Sequence, residues 1–267
     1  MFNIVPCQQC SRCLVGDYAH CESISYLGTR IDGGFAEYCL VPSKFNLVVC
    51  NENEIPFEML CMAEPSAVAL HATRAADIKP WETELILGAG PIGILAARWA
   101  HYFGVEHVVA ADIVQEKMNF ARTHGVETID VRDAASYISD ITGGKGVDVV
   151  IEGTGSGAGW VSALNAVSAG GRIVLLGNPQ RDVVVPTENY STLLRKELTL
   201  KSVWNSYYGE APVNEWKFVI DKMERKLFNP MDLITQKSKL EEVPSLFEDI
   251  YQHKIVSCKA VYSAQQK

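Results

Sequence analysis

From residue 84 onward, short apolar runs alternate with longer amphipathic stretches. Runs at 84–87, 107–111, 126–129, 147–151 and 172–176 have strand length, whereas 91–103, 114–124, 134–141 and about 157–168 place apolar residues at helical spacing. Strand and helix therefore alternate, and at least five strands joined by right-handed crossovers predict a doubly wound parallel sheet of the α/β class. The first sixty residues read differently. There, bulky residues follow the glycines of Asp32-Gly33-Gly34-Phe35-Ala36-Glu37-Tyr38-Cys39-Leu40-Val41-Pro42, which predicts a turn feeding a strand in a β-rich segment. Beyond residue 189 the pattern gives a short helix, a strand at 198–203, a helix at 213–225 and a closing strand-helix-strand over 232–262. No internal repeat, low-complexity run or long linker interrupts this order.

Composition narrows the class. With 48% hydrophobic and 21% charged residues over 267 positions, the chain is globular and long enough for one large domain or two ordinary ones. A formal charge of -8 argues against a nucleic-acid partner, because such surfaces concentrate Lys and Arg against phosphates. No window reaches the roughly 18 apolar residues of a membrane span. The N-terminus lacks the basic and apolar regions of a secretion signal, so a cytoplasmic protein is expected.

Four cysteines, Cys7, Cys10, Cys13 and Cys21, fall within fifteen residues. That spacing lets four thiolates converge on one tetrahedral ion, for which zinc is the expected metal, and a closed Cys₄ site leaves no position for water or substrate. Its binding energy would act as folding energy. The alternative for the same residues is a disulfide framework, which requires an oxidising compartment. Cys39, Cys50, Cys61 and Cys258 stand among apolar neighbours and read as small buried hydrophobes.

Gly88-Ala89-Gly90-Pro91-Ile92-Gly93 is a G-x-G-x-x-G that follows an apolar strand and opens an amphipathic helix, the context in which this pattern signals a dinucleotide site. The glycines serve the tight turn, the approach of backbone to the pyrophosphate, and close helix packing, and the helix N-terminus faces the anion. Asp112 ends the next strand, where a carboxylate bridges the adenine ribose hydroxyls and repels a 2′-phosphate, which favours NAD over NADP. The same residue could instead cap the following helix. Thr154, within Gly153-Thr154-Gly155, and Gly177 fall at carboxyl ends of strands, the edge along which ligands bind, although glycines also end strands for turn reasons alone. Lys117 can reach the ribose or stand as a surface charge.

The order of these features, a Cys₄ lobe, Gly33-Gly34-Phe35-Ala36-Glu37-Tyr38, Glu64-Pro65, then the glycine turn with Asp112, resembles the zinc-containing medium-chain dehydrogenases over nearly the whole chain. The segment 28–38, Arg195-Lys196-Glu197-Leu198-Thr199, Trp204 and Glu215-Trp216 resemble its polyol branch. The resemblance implies a Rossmann sheet carrying NAD and a GroES-like β barrel, here partial, bearing the structural zinc lobe. Residues 1–66 would form the partial barrel, 67–205 the NAD-binding domain, and 206–267 a segment returning to the barrel. It further implies oxidation of a secondary alcohol of a polyol or polyol phosphate, zinc supplying the acidity that lets hydride pass to the nicotinamide. Glu64 matches the family's carboxylate on or near the catalytic zinc, and reads equally as a charge at a helix N-terminus. Val203, Trp204 and Asn205 match positions lining the substrate and nicotinamide pocket, and a phosphorylated substrate would call on Arg30, Arg195 or Lys196. The family's other catalytic zinc ligands, a Cys and a His-Glu pair, lie upstream of the lobe and have no counterpart here. A catalytic zinc is thus expected only in a longer form, and these 267 residues alone are expected not to turn over. A homodimer or homotetramer is implied, joined near 198–203. A non-catalytic NAD-binding or assembly protein with a structural zinc is the alternative function.

Overall fold

Parallel strands buried on both faces need unbroken apolar runs, and the chain supplies them in its middle third. The computed structural model describes residues 4–51 and 53–263. Its opening segment holds strand β1 (Ile4–Val5), the single helical turn α1 (Ser11–Leu14), strand β2 (Ser25–Tyr26), paired antiparallel with β1, and the turn α2 (Phe57–Leu60). Helix α3 (Ala63–Ala76) leads into the alternating region: β3 (Thr83–Leu87), α4 (Pro91–Tyr102), β4 (His107–Asp112), α5 (Gln115–Thr123), β5 (Glu127–Asp130), α6 (Ala134–Thr142), β6 (Val147–Glu152), α7 (Gly157–Ala166), β7 (Val167–Leu175), α8 (Thr187–Arg195) and β8 (Thr199–Ser202). The chain closes with α9 (Glu215–Glu224), β9 (Ile234–Lys239), α10 (Val243–Tyr251) and β10 (Lys259–Ser263), in which β9 and β10 pair in parallel. No helix among the described residues is long and apolar enough to cross a membrane.

The chain divides into two compact units, one from Val68 to Trp204 and one from the residues up to Ala67 together with those from Asn205 onward. The first of these is a six-stranded, wholly parallel sheet of order β5-β4-β3-β6-β7-β8. Order reverses between β3 and β6, so the carboxyl ends of β3 and β6 flank a crevice in which such sheets bind ligands. Leu85, Leu87, Val109, Val150 and Ile173 fill one face with Ile138 of α6 and Leu164 of α7. Helix α7 ends at Ala166 rather than near 168 because β7 starts at once, three residues ahead of Gly170, whose φ of +73° lets the strand bend.

The other unit departs from the sequence reading in its opening segment. The predicted strand after Gly34 does not form: its Ala36 amide bonds to the Tyr262 hydroxyl at 3.3 Å, and Phe35 stacks on Tyr262 with ring centroids 5.3 Å apart. Tyr38 and Leu40 are exposed, and no strand among the described residues pairs with this stretch. Alternating bulky residues become a strand only when a neighbour takes their main-chain groups. Nor are the four remaining cysteines core residues, since Cys61 is exposed and Cys39, Cys50 and Cys258 are only half-buried.

One residue breaks the apolar rule inside the sheet. Glu84, in β3 between Val108 and Val149 of the adjacent strands, is fully buried, and neither carboxyl oxygen has a hydrogen-bond partner. Burial raises its pKa to about 8, so the group is a neutral acid at physiological pH. The folded chain therefore holds a proton that the unfolded chain releases at the ordinary carboxyl pKa, and stability falls as pH rises from there to about 8. The variant Glu84→Met is expected to be more stable by about 1–3 kcal/mol and to lose that slope; thermal unfolding followed between about pH 5 and 9 reads both.

Candidate dinucleotide cleft and cysteine cage

The cleft begins with a steric requirement. Gly88 leaves β3 with φ +110°, its amide donating to the Ala111 carbonyl at 2.8 Å, and the chain folds back so tightly that a Cβ on Gly93 would lie 1.9 Å from the Gly88 oxygen. Gly90 is the residue ahead of α4 and has no side chain to cap it, while Pro91 has no amide hydrogen to satisfy. The amides of Ile92 and Gly93 are thereby directed, with the positive end of the helix dipole, at whatever anion occupies the turn.

Asp112 reaches across from the end of β4. One carboxylate oxygen accepts the Ala89 amide at 2.9 Å, and the other accepts the amides of Ile113 and Val114 at 2.8 and 2.9 Å. It thus ties the glycine turn to the loop after β4 and orders the entry to α5. On the far side of β3, the Gly153 amide donates to the Leu87 carbonyl at 2.9 Å, bringing the loop after β6 against the same crevice.

These loops enclose a cleft of about 690 Å³, within the range of small-molecule and cofactor sites. Gly88, Gly90, Pro91, Ile92, Gly93, Asp112, Lys117, Thr154 and Gly177 all line it, so nine residues singled out in the sequence are brought together. Ile113, Ser156 and Asn178 line it as well and were not anticipated. Val203 and Trp204, just after β8, are not among the lining residues. Trp204 is exposed. Asn205 belongs to the other unit; it adopts φ +57°, and its side-chain nitrogen is buried without a hydrogen-bond partner.

Glu152, behind the wall of the cleft rather than lining it, is the residue that sequence reasoning missed. It ends β6, is 1% exposed, and its carboxylate accepts the amides of Thr154 and Gly155 at 2.8 and 3.1 Å together with the Thr154 hydroxyl. The signal was a carboxylate directly after the apolar run Val149-Val150-Ile151, a position where burial is tolerated only with hydrogen-bond donors at hand.

In the other unit Cys7, Cys10, Cys13 and Cys21 converge, with all four Sγ atoms within 4.8 Å of one another and Cys7 and Cys13 4.0 Å apart. A tetrahedral zinc with Zn–S of about 2.3 Å needs sulfurs about 3.8 Å apart, so small side-chain adjustments complete the geometry. The amides of Cys7 and Ser23 point at the Cys21 sulfur and that of Cys10 at Cys7, at 3.2–3.4 Å, as suits thiolate charge. Main-chain hydrogen bonds from Cys13 and Glu22 draw the Cys10 thiol down to about 6, while burial pushes Cys13 up to about 12. All four cysteines are free of disulfide bonds.

Glu64 sits in the first turn of α3. Burial raises its pKa, and the Lys259 ammonium opposes that rise. Among the described residues, the four cysteines are the one group of three or more metal-ligating side chains, so Glu64 has no companions with which to hold a catalytic zinc. Two of the cations considered for a substrate phosphate are occupied: Arg30 donates to the Ile24 carbonyl at 2.7 Å, and Lys196 donates to the Val167 carbonyl at 2.6 Å.

Residues 91–225 match the zinc-binding dehydrogenase family, and residues 1–51 match the alcohol dehydrogenase GroES-like domain. A zinc-type alcohol dehydrogenase-like protein of Haemophilus influenzae is 32% identical, the alignment covering 93% of this chain and 70% of that protein. The crystal structure of galactitol-1-phosphate dehydrogenase from Escherichia coli superposes with a TM-score of 0.87 at 28% identity, over 96% of this chain and 74% of that one. An alcohol dehydrogenase from E. coli CFT073, solved with NADH, superposes at 0.84 and 26% identity over 98% and 75%. With just over half of its length matched to the family and a relative of that identity aligned over most of both chains, this chain belongs to the zinc-binding dehydrogenases, within reach of their polyol branch.

Proposed function

We propose that the chain binds NAD in the 690 Å³ cleft and carries the cofactor half of an enzyme that oxidises a secondary alcohol of a polyol or polyol phosphate, of the galactitol-1-phosphate kind. The observation that carries this reading is Asp112, which is bonded to the glycine turn and lines the cleft one strand away from it. The pyrophosphate lies on the amides of Ile92 and Gly93, the adenine ribose hydroxyls donate to Asp112, and Lys117 stands beside them. A 2′-phosphate would meet the Asp112 carboxylate, so NAD is preferred to NADP. Bound NAD supplies the hydride acceptor; Thr154 and Gly177 serve its nicotinamide half. Residues 1–66 and 206–267 form the barrel part and 67–205 the dinucleotide domain. The Cys₄ cage holds a structural zinc, and the open edge of β8, the last strand of the sheet, joins a second copy in a dimer or tetramer.

Glu64 belongs to a catalytic zinc site that these residues do not complete. The support for this is that, among the described residues, Glu64 falls in no group of three or more potential ligands. Without a full ligand set, the developing negative charge on the substrate oxygen lacks a partner worth several kcal/mol, roughly three decades or more in rate.

Calorimetry is expected to show NAD binding about tenfold or more tighter than NADP, with Asp112→Ala weakening NAD about tenfold and narrowing that preference; equal affinity for the two cofactors would remove the role given to Asp112. Elemental analysis should find about one zinc per chain. Cys21→Ser should lose it and lower the thermal midpoint of the chain, whereas mass spectrometry finding the four cysteines in two disulfides would sink the cage. The purified 267-residue chain, mixed with NAD and galactitol 1-phosphate, is expected to form no NADH, and steady turnover would refute the incomplete catalytic site.

A further inference from the structure

Glu152 holds two loops at once. Its carboxylate takes the Thr154 and Gly155 amides and the Thr154 hydroxyl, while its main-chain oxygen accepts the amides of Leu176 and Gly177, both at 2.9 Å. The loops after β6 and β7 are therefore fastened to a single residue. They also touch: a Cβ on Gly177 would lie 2.0 Å from the Gly155 nitrogen, and one on Gly155 would lie 2.5 Å from the Asn178 oxygen. Helix α7 keeps room for this knot, since a Cβ on Gly159 would stand 2.3 Å from the Thr154 hydroxyl and 2.4 Å from the Glu152 carboxylate.

The hydrogen bonds run in one direction. A carboxylate only accepts, so the Thr154 hydroxyl gives its proton to Glu152 and must accept from Ser156, whose hydroxyl lies at 2.8 Å and whose amide lies at 3.2 Å. The Ser156 oxygen is then free to accept the Gly159 amide at 2.9 Å and cap α7. An amide in place of the carboxylate would turn one of its two oxygens into a donor, facing N–H groups that are donors already.

The sheet order separates the two ends of the cleft. Asp112 and the glycine turn belong to β4 and β3, on one side of the reversal, and the fastened loops belong to β6 and β7, on the other. We infer that Glu152 is a positioning residue: it sets the wall of the cleft that receives the nicotinamide half of the cofactor and has no part in holding the adenosine half. The inference rests on the dinucleotide reading of the cleft and assigns a residue that does not line it.

The test compares NADH, followed by its fluorescence, with ADP, followed by calorimetry, on the zinc-loaded chain and on the variants Glu152→Gln, Thr154→Val and Thr154→Ser. Thr154→Val is nearly isosteric and breaks the same link from the loop side if Glu152→Gln fails to fold; Thr154→Ser keeps the hydroxyl and serves as the rescue. Glu152→Gln and Thr154→Val should weaken NADH about tenfold and leave ADP within about twofold, with Thr154→Ser close to the parent chain. Unchanged NADH affinity, or equal losses for NADH and ADP, would overturn the role of Glu152 while leaving the cleft intact. A parent chain that binds neither ligand would instead overturn the dinucleotide reading, and this inference with it.

Discussion

No side chain can stand at residue 93. A Cβ there would lie 1.9 Å from the Gly88 carbonyl oxygen, far inside any van der Waals contact, and the whole cleft follows from that exclusion. Because the backbone closes so tightly, α4 begins at once above the end of β3 and its first amides are aimed into the crevice. The loops beside it are then tied inward, the Asp112 carboxylate gripping the turn from the β4 side and the Gly153 amide gripping Leu87 from the β6 side. A shape suited to a long, doubly charged ligand results from one steric exclusion and two local hydrogen-bonded ties rather than from any single large contact.

Four carboxylic acids in the chain show how environment decides what one chemical group does. Asp112 has three amide donors and lines the cleft, so it can remain an acceptor for a ligand. Glu152 also has its donors, but they come from a loop, so its charge fixes backbone rather than meeting solvent. Glu84 has no donor, and burial there leaves a neutral acid whose desolvation is uncompensated. Glu64 lies between these cases, raised by burial and partly restored by Lys259. A buried carboxylate surrounded by hydrogen-bond donors belongs to the machinery of a site, and one without them is a cost carried by the core.

The alternating region was legible because its signals were redundant: periodicity, glycine spacing and the acidic residue about twenty positions on all pointed to one arrangement, and each involves residues close in sequence. Most boundaries shifted by a residue or two, but at the junction after Ala166 strand β7 begins at Val167, five residues ahead of the predicted 172. Glu152 escaped because its meaning lies in donors that only the folded loop assembles. The segment after Gly34 was misread for the opposite reason: its bulky residues carry the right pattern, but a strand is a property of a pair, and pairing is not written in one segment's composition. Lys196 and Arg30 were ambiguous until their carbonyl partners could be seen.

Residues 4–51 could not be stabilised by burial of apolar side chains alone. Within that stretch the buried apolar residues are Ile4, Pro6, Cys13, Cys21 and Leu27, and two of these five are cysteines of the cage. The only regular pairing is the short ladder of β1 with β2, two residues a side. So small an apolar core cannot offset the conformational entropy of ordering the segment, at about 1–2 kcal/mol per residue. Four ligands on one ion would add to it, because a structural zinc contributes on the order of 10 kcal/mol and would close its loops locally, between residues at most fourteen apart in sequence. The cage and the sheet thus solve the same problem by different means, metal coordination where apolar residues are few and a continuous buried sheet where they are plentiful.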